Sequence, residues 1–251
     1  MAFRLTSVLL LFVMIALPAR AADPDALIAA TDALTVRLNG LGAKDSPPML
    51  TNDGADLVRT AYDENVLRAF PFDLDRVSRA CIGVGSSIVA YVDFANRSAG
   101  GARDPAAAAD ATLGQLQNEL TAGAVAANLC VQKGFRAVAG FVAGLKPEQR
   151  VKLGDALAQM RGGATQTISS SIATAAAPNI SLGNRSKLLA VVIEDLRFTA
   201  ASFPAAERRS LREQIVAGTP GLPPSLAKQA RDIAGVLAGT ECNLLCELGG
   251  S

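Results

Sequence analysis

The sequence predicts an all-α protein, and three observations carry that expectation. Apolar residues recur at alternating steps of three and four over most of the chain. No segment sustains the period-two alternation of a half-buried strand. The short β-branched runs Ile88-Val89 and Val191-Val192-Ile193 both fall inside helical stripes.

The first twenty-one residues read as a secretory signal peptide. Arg4 supplies a basic start, Val8 to Leu17 is apolar, and Pro18 precedes Ala19-Arg20-Ala21, so cleavage is expected after Ala21. The apolar run is about half the 20 residues a membrane span needs, and no anchor is expected after cleavage. Residues 22–251 are then one exported helical domain, secreted or periplasmic. Losing Arg4 and Arg20 from 24 basic residues leaves 22 against 23 acidic, a net charge of −1. Such a surface has no bias toward nucleic acid or anionic lipid. The 4% aromatic content, with no tryptophan, also counts against stacking platforms for sugar or single-stranded nucleic acid. Half of the residues are apolar, so the core is built mainly from alanine, leucine and valine.

Taken in order, the chain offers seven or eight helices. Asp23-Pro24 caps a first one, on Leu27, Ala30, Leu34 and Leu38. A second spans 53–70, with Leu57, Ala61, Leu67 and Phe70 inward, and stops at Pro71. From Asp73 a strict heptad seam runs through Leu74, Val77, Cys81, Val84, Ile88, Tyr91 and Ala95. After the turn 98–104, one stripe continues from Leu113 through Leu116, Leu120, Ala124, Ala127, Val131, Phe135, Val138 and Val142 to Leu145. These two stretches, 73–97 and 105–145, should form a central antiparallel hairpin. A continuous helix from Pro105 would be about 60 Å long, so a bend is expected near Gly134. Pro147 restarts a helix that runs to Ala177, with Gly162-Gly163 as a place for a kink. Further helices follow at 184–203, from Pro204 to Gly218, and from Ser225 to Leu237. The echo Ala139-Gly140-x-x-Ala143-Gly144 and Ala234-Gly235-x-x-Ala238-Gly239 suggests that those two helix ends pack together.

Four cysteines, Cys81, Cys130, Cys242 and Cys246, lie in the mature part. An even number in an exported chain favours disulfides, and four allow three connectivities. Cys81–Cys130 with Cys242–Cys246 is the favoured pairing. A hairpin symmetric about Gly101 would set Cys81 opposite position 121, so the first bridge requires a hairpin sheared by about 13 Å. Cys242-x-x-x-Cys246 admits a local disulfide, cross-links to the other cysteines, or a thiol-redox or soft-metal pair. The metal reading is poor because the mature chain offers no histidine and only Met49 and Met160 as thioethers. No cofactor is expected.

The lack of histidine removes Ser-His-Asp and Cys-His catalysis, histidine-ligated zinc and c-type haem attachment. Ser225-Leu226-Ala227-Lys228 matches S-x-x-K at a helix start, where a serine nucleophile and a lysine base would share a face. The pattern resembles that of the serine penicillin-recognising enzymes, whose fold has a β-sheet. Their S-D-N and K-T-G elements are missing from this chain. The favoured reading makes Ser225 a helix cap after Pro223-Pro224 and Lys228 a solvated cation. Asp63-Glu64 and Asp73 with Asp75 are carboxylate pairs, the second in a first helical turn where it complements the dipole. Thr165, Thr167, Ser169, Ser170, Ser171 and Thr174 form a hydroxyl-rich band that could line a site or lie solvated. The expectation is a non-enzymatic binding module for a protein partner or a small apolar ligand. Two alternatives are an enzyme using Ser225 and Lys228 or a carboxylate pair, and a thiol or soft-metal protein using Cys242 and Cys246.

Overall fold

A computed structural model describes residues 23–248; residues 1–21, expected from the sequence to be a signal peptide, lie outside them. Among these residues the chain is all helical. Asp23 starts α1 (Pro24–Asn39), its carboxylate accepting from the Asp25 and Ala26 amides. Then follow α2 (Ala55–Ala61), α3 (Glu64–Ala69), α4 (Leu74–Ala99), α5 (Pro105–Gln115) and α6 (Gln117–Ala143). The second half holds α7 (Pro147–Val151), α8 (Gly154–Ala176), α9 (Leu182–Glu194), α10 (Leu196–Ala201), α11 (Ala205–Gly218), α12 (Pro224–Ala238) and α13 (Leu244–Glu247).

The count exceeds the expected seven or eight for local reasons. Four stretches read as single helices are broken in two, and α13 is added. Asp63 splits 53–70 because its side chain takes the amides of Asn65 and Val66, starting a new helix in mid-pattern. At Asp195 the backbone leaves helical geometry (φ −128°, ψ 23°), and Arg136 of α6 grips the freed carboxylate with two nitrogens. Helices α7 and α8 part at Lys152-Leu153, whereas α8 passes through Gly162-Gly163 without a break. The long stretch bends at Leu116 (φ −89°, ψ 13°) and not at Gly134, which lies inside continuous α6. Leu116 is buried, and the next residue, Gln117, is tied down by the Ser181 amide, so packing sets the bend where no glycine marks it.

Two hydrophobic cores share α6 and α9. One gathers Leu27, Leu34 and Leu38 of α1, Val58, Leu67, and Val77, Val84, Tyr91 and Phe94 of α4 around Val125 and Leu129 of α6. The other gathers Phe135 and Val142 of α6 with α8, α10, α11, α12 and Leu245 of α13. In α9, Leu188 and Val191 face the first core, and Leu189 and Val192 the second. The helix between Leu120 and Gln132 carries no charge, as a helix buried on more than one side requires. Its polar side chains are satisfied internally. The Asn128 amide donates to Ser171 Oγ at 2.8 Å, and the Gln132 amide donates to the Val191 carbonyl at 2.7 Å.

Helices α4 and α6 run antiparallel with a definite register. Cys81 and Cys130 face one another across the seam, lining one small void, and a Cβ on Gly123 would fall 2.8 Å from Ile88 Cγ1. Both pairs share the index sum 211, centring the hairpin between Pro105 and Ala106 and not at Gly101. That shift is the shear Cys81 and Cys130 need in order to meet. Helix α1 lies on the opposite flank of α4, closest at Thr31 and Gly83. The glycine echo does not bring α6 and α12 together. Cβ atoms on Gly140 or Gly235 would meet nothing within 4 Å, and on Gly144 or Gly239 only their own helix backbone.

Candidate functional site

Helix α4 is buried on its flanks against α1 and α6, and its remaining face is the chain's most distinctive surface. Asp75, Arg79, Ile82, Gly85, Ser86, Val89, Asp93 and Arg97 are exposed as one stripe at helical spacing, and Leu74, Ser78, Val92 and Asn96 are exposed beside it. Ile82 is 66% exposed and Val89 58%. Gly85 and Ser86 leave the middle of the stripe without bulk. Between α4 and α1 this opens a groove of about 500 Å³, lined by Thr35, Asn39, Gly85, Ser86, Val89 and Asp93. Among the described residues, α4 alone is long and apolar enough to cross a membrane. Its buried flanks supply most of that apolarity, and its outer face is charged at both ends.

The cysteines fall into two kinds. Cys242 and Cys246 form a disulfide with Cα atoms 5.4 Å apart. The segment that carries it is docked, not free. Asn243 donates its amide to the Ala201 carbonyl at 2.8 Å, its side chain bonds Ser202, and it caps α13. Cys81 and Cys130 are unbridged here, although they meet across the α4–α6 seam. The hydrogen bond to Cys81 and then burial push the Cys130 thiol well above its ordinary range, so it is a poor nucleophile at neutral pH.

Ser225 and Lys228 are both exposed on α12, and Lys228 pairs with Asp232 at 2.8 Å, not with the serine. Ser225 is not the cap either, since Pro223 holds that position. The carboxylates have structural partners. Asp63 and Asp73 are helix caps, and Asp75 pairs with Arg79 at 2.9 Å. Glu64 binds Lys187 and Arg68, and Arg68 in turn holds Glu194, tying α3 to α9. Burial alone would raise the Glu64 carboxyl, but the hydrogen bonds from Lys187 and Arg68 outweigh it and hold it below the ordinary range. In the hydroxyl-rich band, Thr167 and Ser171 return their hydrogens to their own helix, and Ser169 bonds Gln214. Among the described residues no group of three or more cysteines and carboxylates is placed to hold a metal ion.

Sequence reasoning missed the buried polar residues. Glu119 is 0% exposed; one oxygen accepts from the Leu50 amide at 2.8 Å and the other has no hydrogen-bond partner. Near it, Tyr62 bonds Ser87, and Tyr91 donates to the Pro48 carbonyl, fastening the 43–54 loop to α4. Burial pushes both tyrosines far above their usual range, so both are neutral donors. Arg161, 2% exposed, pairs with Glu207 at 3.3 Å and reaches the Leu245 carbonyl. The charge-free run 120–132 was the one available signal that α6 is enclosed, and hence that polar residues on and beside it must find internal partners.

Scans against protein-family models, curated proteins and solved structures each return no match.

Proposed function

We propose that this chain is an exported, non-enzymatic helical module that binds a protein partner through the outer face of α4. The observation that carries the reading is the stripe of Ile82, Gly85, Ser86 and Val89 beside the α1–α4 groove. Exposed apolar side chains at helical spacing, rimmed by charge, are what a helix-in-groove contact uses. The reactive groups offer no competing centre of similar quality: Ser225 and Lys228 are apart in role, and the Cys130 thiol is deactivated. Export is supported by the segment 1–21 and by the Cys242–Cys246 bridge, which an oxidising compartment sustains. The hairpin of α4 with α6 is, in this reading, the rigid scaffold that presents the face.

A photo-crosslinking amino acid placed at position 82 tests it in living cells. Protein adducts are expected at Ile82 and not at the exposed control position Arg209 on α11. No adduct at position 82 would sink the reading.

The same compartment bears on the second thiol pair. Protein purified from it without reductant, then denatured and alkylated, is expected to show Cys81 joined to Cys130 and no alkylated thiol. Two alkylated thiols would show that these helices are held by packing alone.

A further inference from the structure

We infer that the α4 face binds a second copy of this chain, in an antiparallel pair with its two-fold axis at Ser86. The inference rests on the reading of that face as a contact surface, and names the partner. Its warrant is charge complementarity of the stripe with itself. When two α4 helices cross antiparallel about Ser86, residue i meets residue 172 − i of the partner. Arg79 then meets Asp93, and Asp75 meets Arg97, each pair twice by symmetry. The order acid, base, apolar, small, apolar, acid, base along 75, 79, 82, 86, 89, 93 and 97 is what an isologous contact needs. A parallel pair would set like charges together.

The shape agrees with the charges. Under the same operator Ile82 is carried to Ala90, a buried residue that lines the α1–α4 groove with Gly85, Ser86 and Val89, whereas Val89 is carried to Gly83, which α1 covers. One copy's exposed apolar knob thus enters the other's hollow, and Ser86 packs on Ser86 where the two backbones come closest. Asp93 has no ion-pair partner of its own among the described residues. Arg79 holds Asp75 from one side only, and Arg97 spends one nitrogen on the Leu38 carbonyl at 2.8 Å. Both arginines keep donors for a neighbour.

Light scattering on the purified mature chain, loaded at about 200 µM because a single-helix contact is a small interface, decides the question. The expected mass is twice that of one chain. R79D and D93R alone should each place like charges opposite one another and give monomer, with unchanged circular dichroism. R79D combined with D93R restores opposite charges and should restore the dimer. Under mild oxidation Ser86→Cys should form an interchain disulfide that the wild-type chain, carrying Cys81 and Cys130, does not. A monomeric wild type, or a dimer that survives both single reversals, overturns the proposal. Adducts at position 82 of a mass other than twice the chain would overturn self-association while leaving the contact surface standing. Absence of adducts there removes both.

Discussion

Gly83→Ala is expected to destabilise the protein by about 3 kcal/mol, at the upper end for overpacking a well-filled site. Thermal denaturation should show it as a loss of about 9 °C for a chain of this size. The cause is the closest approach between α1 and α4. A Cβ built on Gly83 lies 2.9 Å from Thr31 Cβ and closer still to its hydroxyl. Thr31 cannot retreat without loss. It is fully buried, and its Oγ1 donates to the Ile28 carbonyl at 2.8 Å. Being β-branched, it also has few rotamers open to it in a helix. Helix propensity alone would favour alanine by about 1 kcal/mol, so a net loss can only come from the collision. A double-mutant cycle isolates it. Thr31→Ala alone should cost about 1 kcal/mol, and in its presence Gly83→Ala should become nearly neutral. Additive losses would show that the close approach is not where the structure puts it. Gly85, two residues on, is the internal control: a Cβ there meets nothing within 4 Å, so Gly85→Ala should leave the melt unchanged or raise it slightly.

That contrast shows what was legible in the sequence and what was not. Periodicity exposes the apolar seam of α4 directly, because burial against two flanks must repeat with the helix turn. It does not say which glycine lies under a neighbouring side chain, since Gly83 and Gly85 look alike until α1 is docked. Helix breaks divide the same way. Those with a chemical cause in the sequence, Asp23-Pro24 and Asp104-Pro105, are readable as starts. The breaks at Leu116 and Asp195 arise from packing and from Arg136, which is 59 residues away from its partner in the chain. The local Cys242–Cys246 pair was readable from spacing, because residues i and i+4 share one side of a helical turn and so come within disulfide reach. The α4 face was hidden for a different reason. A heptad reading places Leu74, Val77, Cys81 and Val84 inward, although Leu74 is exposed, and says nothing of Ile82 or Val89. Only the exposure of both, beside a hollow, gives them meaning.

Arg161→Ala is expected to cost about 3 kcal/mol, since removing one member of a buried charged contact leaves the other partners unsatisfied. The guanidinium is enclosed at 2% exposure, pairs with Glu207 of α11 and approaches the Leu245 carbonyl of α13 at 3.5 Å. It therefore joins α8 to two later helices at once. Glu207 is less exacting: its side chain is 41% exposed and water can replace the lost partner, so most of the loss comes from the cavity and from the Leu245 side. Arg161→Met fills the same space without charge and should recover about half of the loss. Glu207→Gln should cost about 1 kcal/mol, because a neutral acceptor remains beside the guanidinium. The expected signature is local as well as global. With Arg161 gone, the Cys242–Cys246 segment keeps its Asn243 contacts to Ala201 and Ser202, the Arg208 contact to Cys242 Sγ and the packing of Leu244, Leu245 and Leu248. Amide exchange in 242–248 should then accelerate well below the melting temperature, while α4 and α6 stay protected. Equal acceleration in the first core would mean that Arg161 stabilises the whole molecule and not the C-terminal closure.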